Sequence, residues 1–489
     1  MKKIFIIAAL ALGLVSCDLT TPPTTTVTAD VALETFDGLD MASAVTYVAF
    51  ASESWYGLDL QIYPDVMCGN CVAGSPLNSG RGMSWQQWNF TASGGFSIYG
   101  NAYVNINRCN NVIYAIKQNS EKYLSEAGVT QQDLDNLMAE CLFVRAYCYF
   151  DLVRWYAQPY EISKNAAEGS VESLGVPIVK ENPAESVLDK PARMPVADNY
   201  AHIINDLTTA RNLLEDGFLR DGTKDAKCAV SAGAIEALLA RVYLYMQNYE
   251  KAEEHASNVL AMGYAVATED QYETMWTDEN MSNNPEVIFA VFFDTTESST
   301  ILGNITDPEE YGDVRVSEDL LVLYEDTDVR KTSLLAPADY AGFYWPAKYQ
   351  GKNNLLAIPN VPMIRTSEIY LLRAEARFMQ GAAKFEAARE DLNVVATSRG
   401  ASPYQTITYG DIFNERRKEL AFEGHIWHDY KRIIGTPNQG GARPSEVMTR
   451  TDVSTPINKD IPFDSKYWCM PISESEIDVN GNLEQNPQW

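Results

Sequence analysis

The chain has 489 residues, with 38 Lys and Arg against 66 Asp and Glu, for a net charge of −28. So large an acidic excess excludes nucleic acid as a partner, because phosphate contacts need Lys and Arg. An apolar fraction of 46% excludes a disordered chain and is ample for a large folded body.

The chain begins with Lys2 and Lys3, followed by an apolar run from Ile4 to Val15. That run matches the core of a signal peptide and is shorter than the ~20 residues of a spanning helix. Leu14-Val15-Ser16-Cys17 resembles the bacterial lipobox. The resemblance implies cleavage before Cys17 and a diacylglycerol on its thiol. Residues 1–16 therefore read as a lipoprotein signal peptide. Residues 17–35 read as the lipidated cysteine and a tether, since Pro22, Pro23 and six threonines from Thr20 to Thr28 offer little to bury. Loss of Lys2 and Lys3 with the signal takes the charge from −28 to −30. No later stretch reaches ~18 uncharged apolar residues, so no membrane span is expected.

Residues 36–489 read as a single body with two kinds of sequence. Loop-rich stretches cover about 50–100 and 268–360, and helical repeat elements cover about 100–156, 198–264 and 363–432. The first loop stretch holds Trp55, Tyr56 and Tyr63, then Arg81-Gly-Met-Ser-Trp85-Gln-Gln-Trp88-Asn89. Cys68-Gly-Asn-Cys71 is the one close cysteine pair. No second such pair and no nearby histidine completes a metal set, which leaves a local disulfide or two thiols. Tyr103, Ile106, Asn110 and Ile113 open the helical part.

Thr130 and Asp133 form a capping-box pattern, and Leu137, Cys141, Val144, Cys148, Leu152 and Trp155 follow at helical spacing. The pattern predicts a long core helix over Gln131–Tyr156, with Cys141 and Cys148 as buried thiols. Residues 161–195 carry several prolines and read as loop. A further helix begins after Asp198. Two segments then superimpose: LLARVYLYMQN from Leu238 and LLRAEARFMQG from Leu371, each followed by a turn and a second amphipathic run. They resemble the tetratricopeptide helix–turn–helix repeat, in which alanines permit close approach and aromatics fill the seam. Between them, Val287–Phe293 predicts a short strand. Tyr344 and Trp345 stand in a loop before Pro346, which favours extended backbone at Trp345. The fold class expected is all-α, a tetratricopeptide-like scaffold carrying long loops.

No catalytic motif is present: no phosphate-binding glycine loop, no nucleophile elbow and no HExxH. No enzyme, cofactor or metal is expected. His425 and His428 share a helix face but lie among alternating charges, so a surface with ion pairs is the reading. The acidic neighbours Glu415, Glu419 and Glu423 need relief from Arg416, Arg417 or groups elsewhere. A carboxylate pair for glycoside hydrolysis needs no motif, and this stays as a minor alternative. The positive signal is the aromatic loops, because flat rings offer the CH face of a sugar an apolar platform. Arg81, Trp85, Trp88, Asn89, Tyr344 and Trp345 are the candidate ligand residues.

The C-terminal part carries a resemblance of its own. Glu415, Arg416, Glu419, Leu420, Glu423, Gly424, Trp427, Asp429 and Arg432 match the signature helix of the SusD/RagB family, with departures at Ile426 and Tyr430. Arg365, Glu368, Leu371, Ala374 and Glu375 resemble a second motif, and Pro471, Ile472, Glu476, Asn480, Leu483, Gln485, Asn486 and Pro487 the closing one. The resemblance implies a lipoprotein of the outer membrane, facing the exterior, that caps a SusC-like TonB-dependent transporter and captures glycan for it. The alternative is a lid or adaptor that binds peptide or no ligand. Only Asp18 supplies acid directly after Cys17, so exposure at the surface rests on the family alone.

Overall fold

The computed structural model describes residues 32–74, 76–186, 189–220, 225–279, 281–296, 298–433, 447–448, 461–462 and 465–489. The signal peptide, Cys17 and the tether up to residue 31 lie outside them.

Helix α1 (Phe36–Val48) is capped by the Thr35 side chain on the Gly38 amide. It is followed by α2 (Asp59–Cys68) and the short strand β1 (Cys71–Ala73). The long pair α3 (Ile98–Leu124) and α4 (Gln131–Tyr156) comes next. Then come α5 (Val196–Leu213), α6 (Ala232–Tyr245) and α7 (Tyr249–Ala261). After the second loop region the helices resume as α8 (Thr366–Met379), α9 (Phe385–Ser398), α10 (Tyr409–Glu419) and α11 (Ile426–Arg432). From α3 to α9 each of these helices packs on the next, so α8 docks on α7 across the long excursion between them. This is the expected all-α, tetratricopeptide-like scaffold, with α6–α7 and α8–α9 as the two units that superimpose in sequence. Among the described residues no helix is long and apolar enough to cross a membrane.

Helix α4 is the axis of the fold. Its capping box forms as predicted, with Thr130 and Asp133 each bonding the other's backbone amide. Its burial exceeds the predicted stripe, since every residue from Asn136 to Tyr156 is buried. Burial on all sides forces its charges into pairs, because an unpaired buried charge is expensive. Arg145 forks onto Asp206 of α5 at 2.7 and 2.8 Å. Asp151 accepts from Trp55 Nε1 at 2.7 Å and pairs with Arg154. Glu140 pairs with Arg220.

Apart from Lys418, which pairs with Glu415 one turn away, the carboxylates of the C-terminal motif are relieved from a distance rather than by Arg416 or Arg417. Glu419 accepts from Arg330 (3.0 Å), Arg365 (2.8 Å) and Arg399 (2.9 Å), and Glu415 from Arg330 at 2.7 Å. Glu423 takes Lys348 at 2.6 Å and Arg365 at 2.7 Å. Arg416 turns to Asp429 instead, and Arg417 to Asn70 and the Gly69 carbonyl. Arg417 is half-buried, and the other charged members of the network are buried. His425 and His428 also lie in the interior, where a surface was expected; His428 sits against Trp155 and Trp427. Burial, reinforced by nearby arginines, holds both imidazoles neutral, well below their usual pKa. The departing residues pack: Ile426 is buried, and Tyr430 meets Phe413 edge-on.

Sheet is minor. β2 (Val287–Val291) pairs antiparallel with β4 (Val361–Arg365), and β3 (Val314–Val316) pairs antiparallel with β1. The second pairing sets Val72 opposite Arg315 and Ala73 opposite Val314, and this register positions the site described next.

Candidate functional site

Because β1 and β3 are partners, the loop that follows β1 lies beside the loop that precedes β3. Ser79, Arg81 and Asp313 meet there. Asp313 is fully buried and accepts from Ser79 Oγ at 3.0 Å and from Arg81 Nη1 at 2.9 Å. Arg81 in turn lays its guanidinium over the Tyr311 ring, 4.2 Å from the centroid. Tyr311 is 44% exposed, so the remainder of this ring faces solvent. Arg81 keeps 36% of its side chain exposed.

Two glycines permit the approach. Gly82 has φ +77, and a Cβ there would stand 3.0 Å from Ala73 Cβ, on β1. Gly312 has φ +55, and a Cβ there would come within 2.6 Å of Leu77. An L side chain would be strained at either backbone and would push the loops apart.

The turn Met83–Gln86 then delivers Trp85. Trp85 is half-buried, stacked with Phe96 at 4.1 Å and with Tyr63 of α2 at 5.9 Å. Asp59, Asp313 and Arg81 all act on the Tyr63 hydroxyl, which burial first of all pushes above its usual pKa. Asp59 is itself half-buried, and burial with the nearby Glu53 charge pushes it up to about 7. A ring stack, a guanidinium on a solvent-facing ring and several carboxyls thus share one face of the loop region. That chemistry suits a ligand with apolar CH faces and many hydroxyls.

The six residues singled out in sequence divide here. Arg81 and Trp85 belong to this face. Asn89 is exposed beside it, its amide closing the turn on the Ser84 carbonyl at 3.0 Å. Tyr344 is half-buried, and its carbonyl accepts from Val316 at the end of β3. Trp88 and Trp345 are corrected: both are fully buried and serve the core. Trp88 Nε1 donates to the Met67 carbonyl at 2.9 Å, and its ring meets Trp468 edge-on. Trp345 Nε1 donates to the Gly312 carbonyl at 2.9 Å, so this indole pins the very loop that carries Tyr311. Tyr311, Asp313 and Asp59 were missed. The signal available for Tyr311 was one aromatic in an acidic loop between Pro308 and Gly312.

Residues 243–489 match the SusD family, and residues 61–244 match the family described as "Starch-binding associating with outer membrane". A SusD superfamily protein from Bacteroides thetaiotaomicron is 26% identical and superimposes with a TM-score of 0.77, over 93% of this chain and 100% of that one. Surface glycan-binding protein A from Bacteroides uniformis shares the fold at 17% identity and a TM-score of 0.75, over 92% of this chain and 99% of its own. SusD-like protein P2 from Formosa agariphila is 24% identical over 431 residues, 76% of this chain and 78% of that protein. With half of its length matched by one family description and the repeat scaffold shared almost end to end, this chain belongs to the SusD family.

Proposed function

We propose that the protein is a glycan-binding lipoprotein of the outer membrane, anchored through Cys17, which captures oligo- or polysaccharide and passes it to a SusC-like TonB-dependent transporter. The observation that carries the reading is the exposed Tyr311 ring held flat by Arg81, beside the Trp85–Tyr63 stack and its carboxyls. Rings supply the apolar platform, while Arg81, Asp59 and Asn89 supply hydrogen bonds to hydroxyls. The starch-binding and outer-membrane description matched by residues 61–244 supports both ligand class and location. Binding is proposed to occur without turnover. A glycan array probed with the protein lacking residues 1–17, then calorimetry and product analysis on the best hit, tests it. Affinity with an unchanged glycan supports the reading; cleavage refutes the non-enzymatic part. Binding of peptides alone transfers the protein to the adaptor reading.

A further inference from the structure

On the inner side of the segment that carries Tyr344 and Trp345, the chain continues through Ala347 and Lys348 into a cleft of about 260 Å³. It is far roomier than the void of about 20 Å³ that abuts His428 in the core. Four rings wall it: Tyr272, Trp276, Tyr324 and Phe422. Its cations are Lys348 and Arg330, and both are already matched. Lys348 donates to Glu423 at 2.6 Å and to the Glu419 carbonyl at 3.0 Å. Arg330 is shared among Asp328, Glu415 and Glu419.

The rings are also engaged by cations of the protein itself. Arg399 lies 4.4 Å from the centroid of Tyr272, Lys348 4.9 Å from Trp276 and 5.8 Å from Phe422, and Arg330 5.8 Å from Tyr324. Each such contact draws on the electron-rich face of its ring, so little attraction remains for a cationic guest. An anionic guest finds no unmatched cation on the wall and would meet the Glu273 carboxylate, exposed at the mouth. The wall also carries polar groups beside the rings: the Thr277 and Ser333 hydroxyls and the Gln350 amide. Such neutral groups exchange hydrogen bonds with hydroxyls of a guest.

Size, ring walls, compensated charge and neutral polar wall groups together define the guest. We propose that this cleft is a second ligand site, taking one neutral, hydroxylated six-membered ring, the chemistry of a single uncharged sugar unit. It goes beyond the Tyr311 platform and does not depend on it.

The test is an equilibrium titration of the mature protein with methyl α-glucoside, methyl α-galactoside, methyl α-mannoside, xylose and N-acetylglucosamine, with glucuronate and glucosamine as charged comparators. At least one neutral sugar should bind with a Kd on the order of millimolar, and its charged counterpart about tenfold more weakly or worse. Ala347→Leu fills the cleft and Thr277→Trp covers its exposed mouth. Measured in a Tyr311→Ala background, which removes the platform's own contribution, each should weaken binding about tenfold or more. Thr277 is exposed, so that variant decides the matter if Ala347→Leu fails to fold. No binding by any neutral sugar in the Tyr311→Ala background, or binding there that survives a folded filling variant, overturns the proposal. Failure of the Tyr311 platform on the glycan array leaves the expected result here intact.

Discussion

Arg81 and Tyr311 stand 230 positions apart in sequence, yet the guanidinium lies 4.2 Å above the ring. Asp313 holds the guanidinium from below the loop, and Trp345 holds the loop through the Gly312 carbonyl. The ring is therefore presented already oriented, which lowers the ordering cost of binding.

That arrangement separates the two kinds of tryptophan. Trp88→Ala and Trp345→Ala each delete a fully buried indole with a bonded N–H. Each should cost about 3–5 kcal/mol of stability. Denaturant titration measures it. Trp88→Ala should leave glycan affinity within about twofold of wild type, because its ring has no solvent face. Unchanged stability in either variant would place that indole outside the core.

The buried ion network should show in a single substitution. Glu419→Gln leaves Arg330, Arg365 and Arg399 short of a shared carboxylate. Removing one member of such a buried set costs about 3–5 kcal/mol. A chemical melt checks it, and a change below about 0.5 kcal/mol would show that the arginines find other partners.

The same network fixes the response to acid. Burial alone raises the Glu419 carboxyl, but Arg399, Arg365 and Arg330 outweigh it and hold the group well below its usual pKa. Glu286 and Glu415 are lowered in the same way. A carboxyl depressed in the folded state contributes stability that is complete above its unfolded value of about 4.3 and is lost as pH falls through the folded value. Melting temperature should therefore drop steeply below about pH 4, and less steeply in Glu419→Gln. Glu140 has the opposite sign: burial pushes it up to about 7, so its contribution declines as pH rises from its unfolded value toward 7. A wild-type melting curve that is flat down to pH ~3 would contradict the assignment.

Helix boundaries were legible in the sequence because their causes are local. The Thr130–Asp133 box starts α4 at Gln131, and the superimposed repeats fall on α6–α7 and α8–α9. Except for Lys418, an i,i+3 neighbour of Glu415, the partners of the glutamates were not legible. Arg330, Arg365, Arg399 and Lys348 come from the loop region, from β4 and from beyond α9, and only the fold gathers them. The buried histidines were misplaced for the same reason: alternating charges read as a solvated face, but each charge has a buried partner. Among the rings, Trp85 and Trp88 share one polar, glycine-flanked stretch. A left-handed backbone at Trp88, φ +49, accompanies its burial against Trp468, and no local pattern announces that. Tyr311 was overlooked because its partner Arg81 arrives through the β1–β3 register.

Cys17 lies outside the described residues, and its role rests on the lipobox. Cys17→Ala should abolish incorporation of labelled palmitate and release the protein from the membrane fraction, since a chain without acyl groups has no comparable anchor. Label retained by the variant would contradict lipidation at this position.

Delivery to a transporter predicts a stable assembly. Gentle detergent extraction should recover the protein with a large outer-membrane barrel, through a contact of the size that stable complexes bury. A lone monomer under several mild detergents would favour a protein that acts without such a partner.

The central claim is tested most directly by calorimetry of the best array glycan against wild type, Tyr311→Ala and Trp85→Ala, with melting temperatures taken on the same samples. Tyr311→Ala should lose about 2 kcal/mol of affinity, roughly thirtyfold, with melting unchanged, and Trp85→Ala should lose affinity with some loss of stability. Wild-type affinity in both variants, with the glycan still bound, would contradict a ligand site on this face.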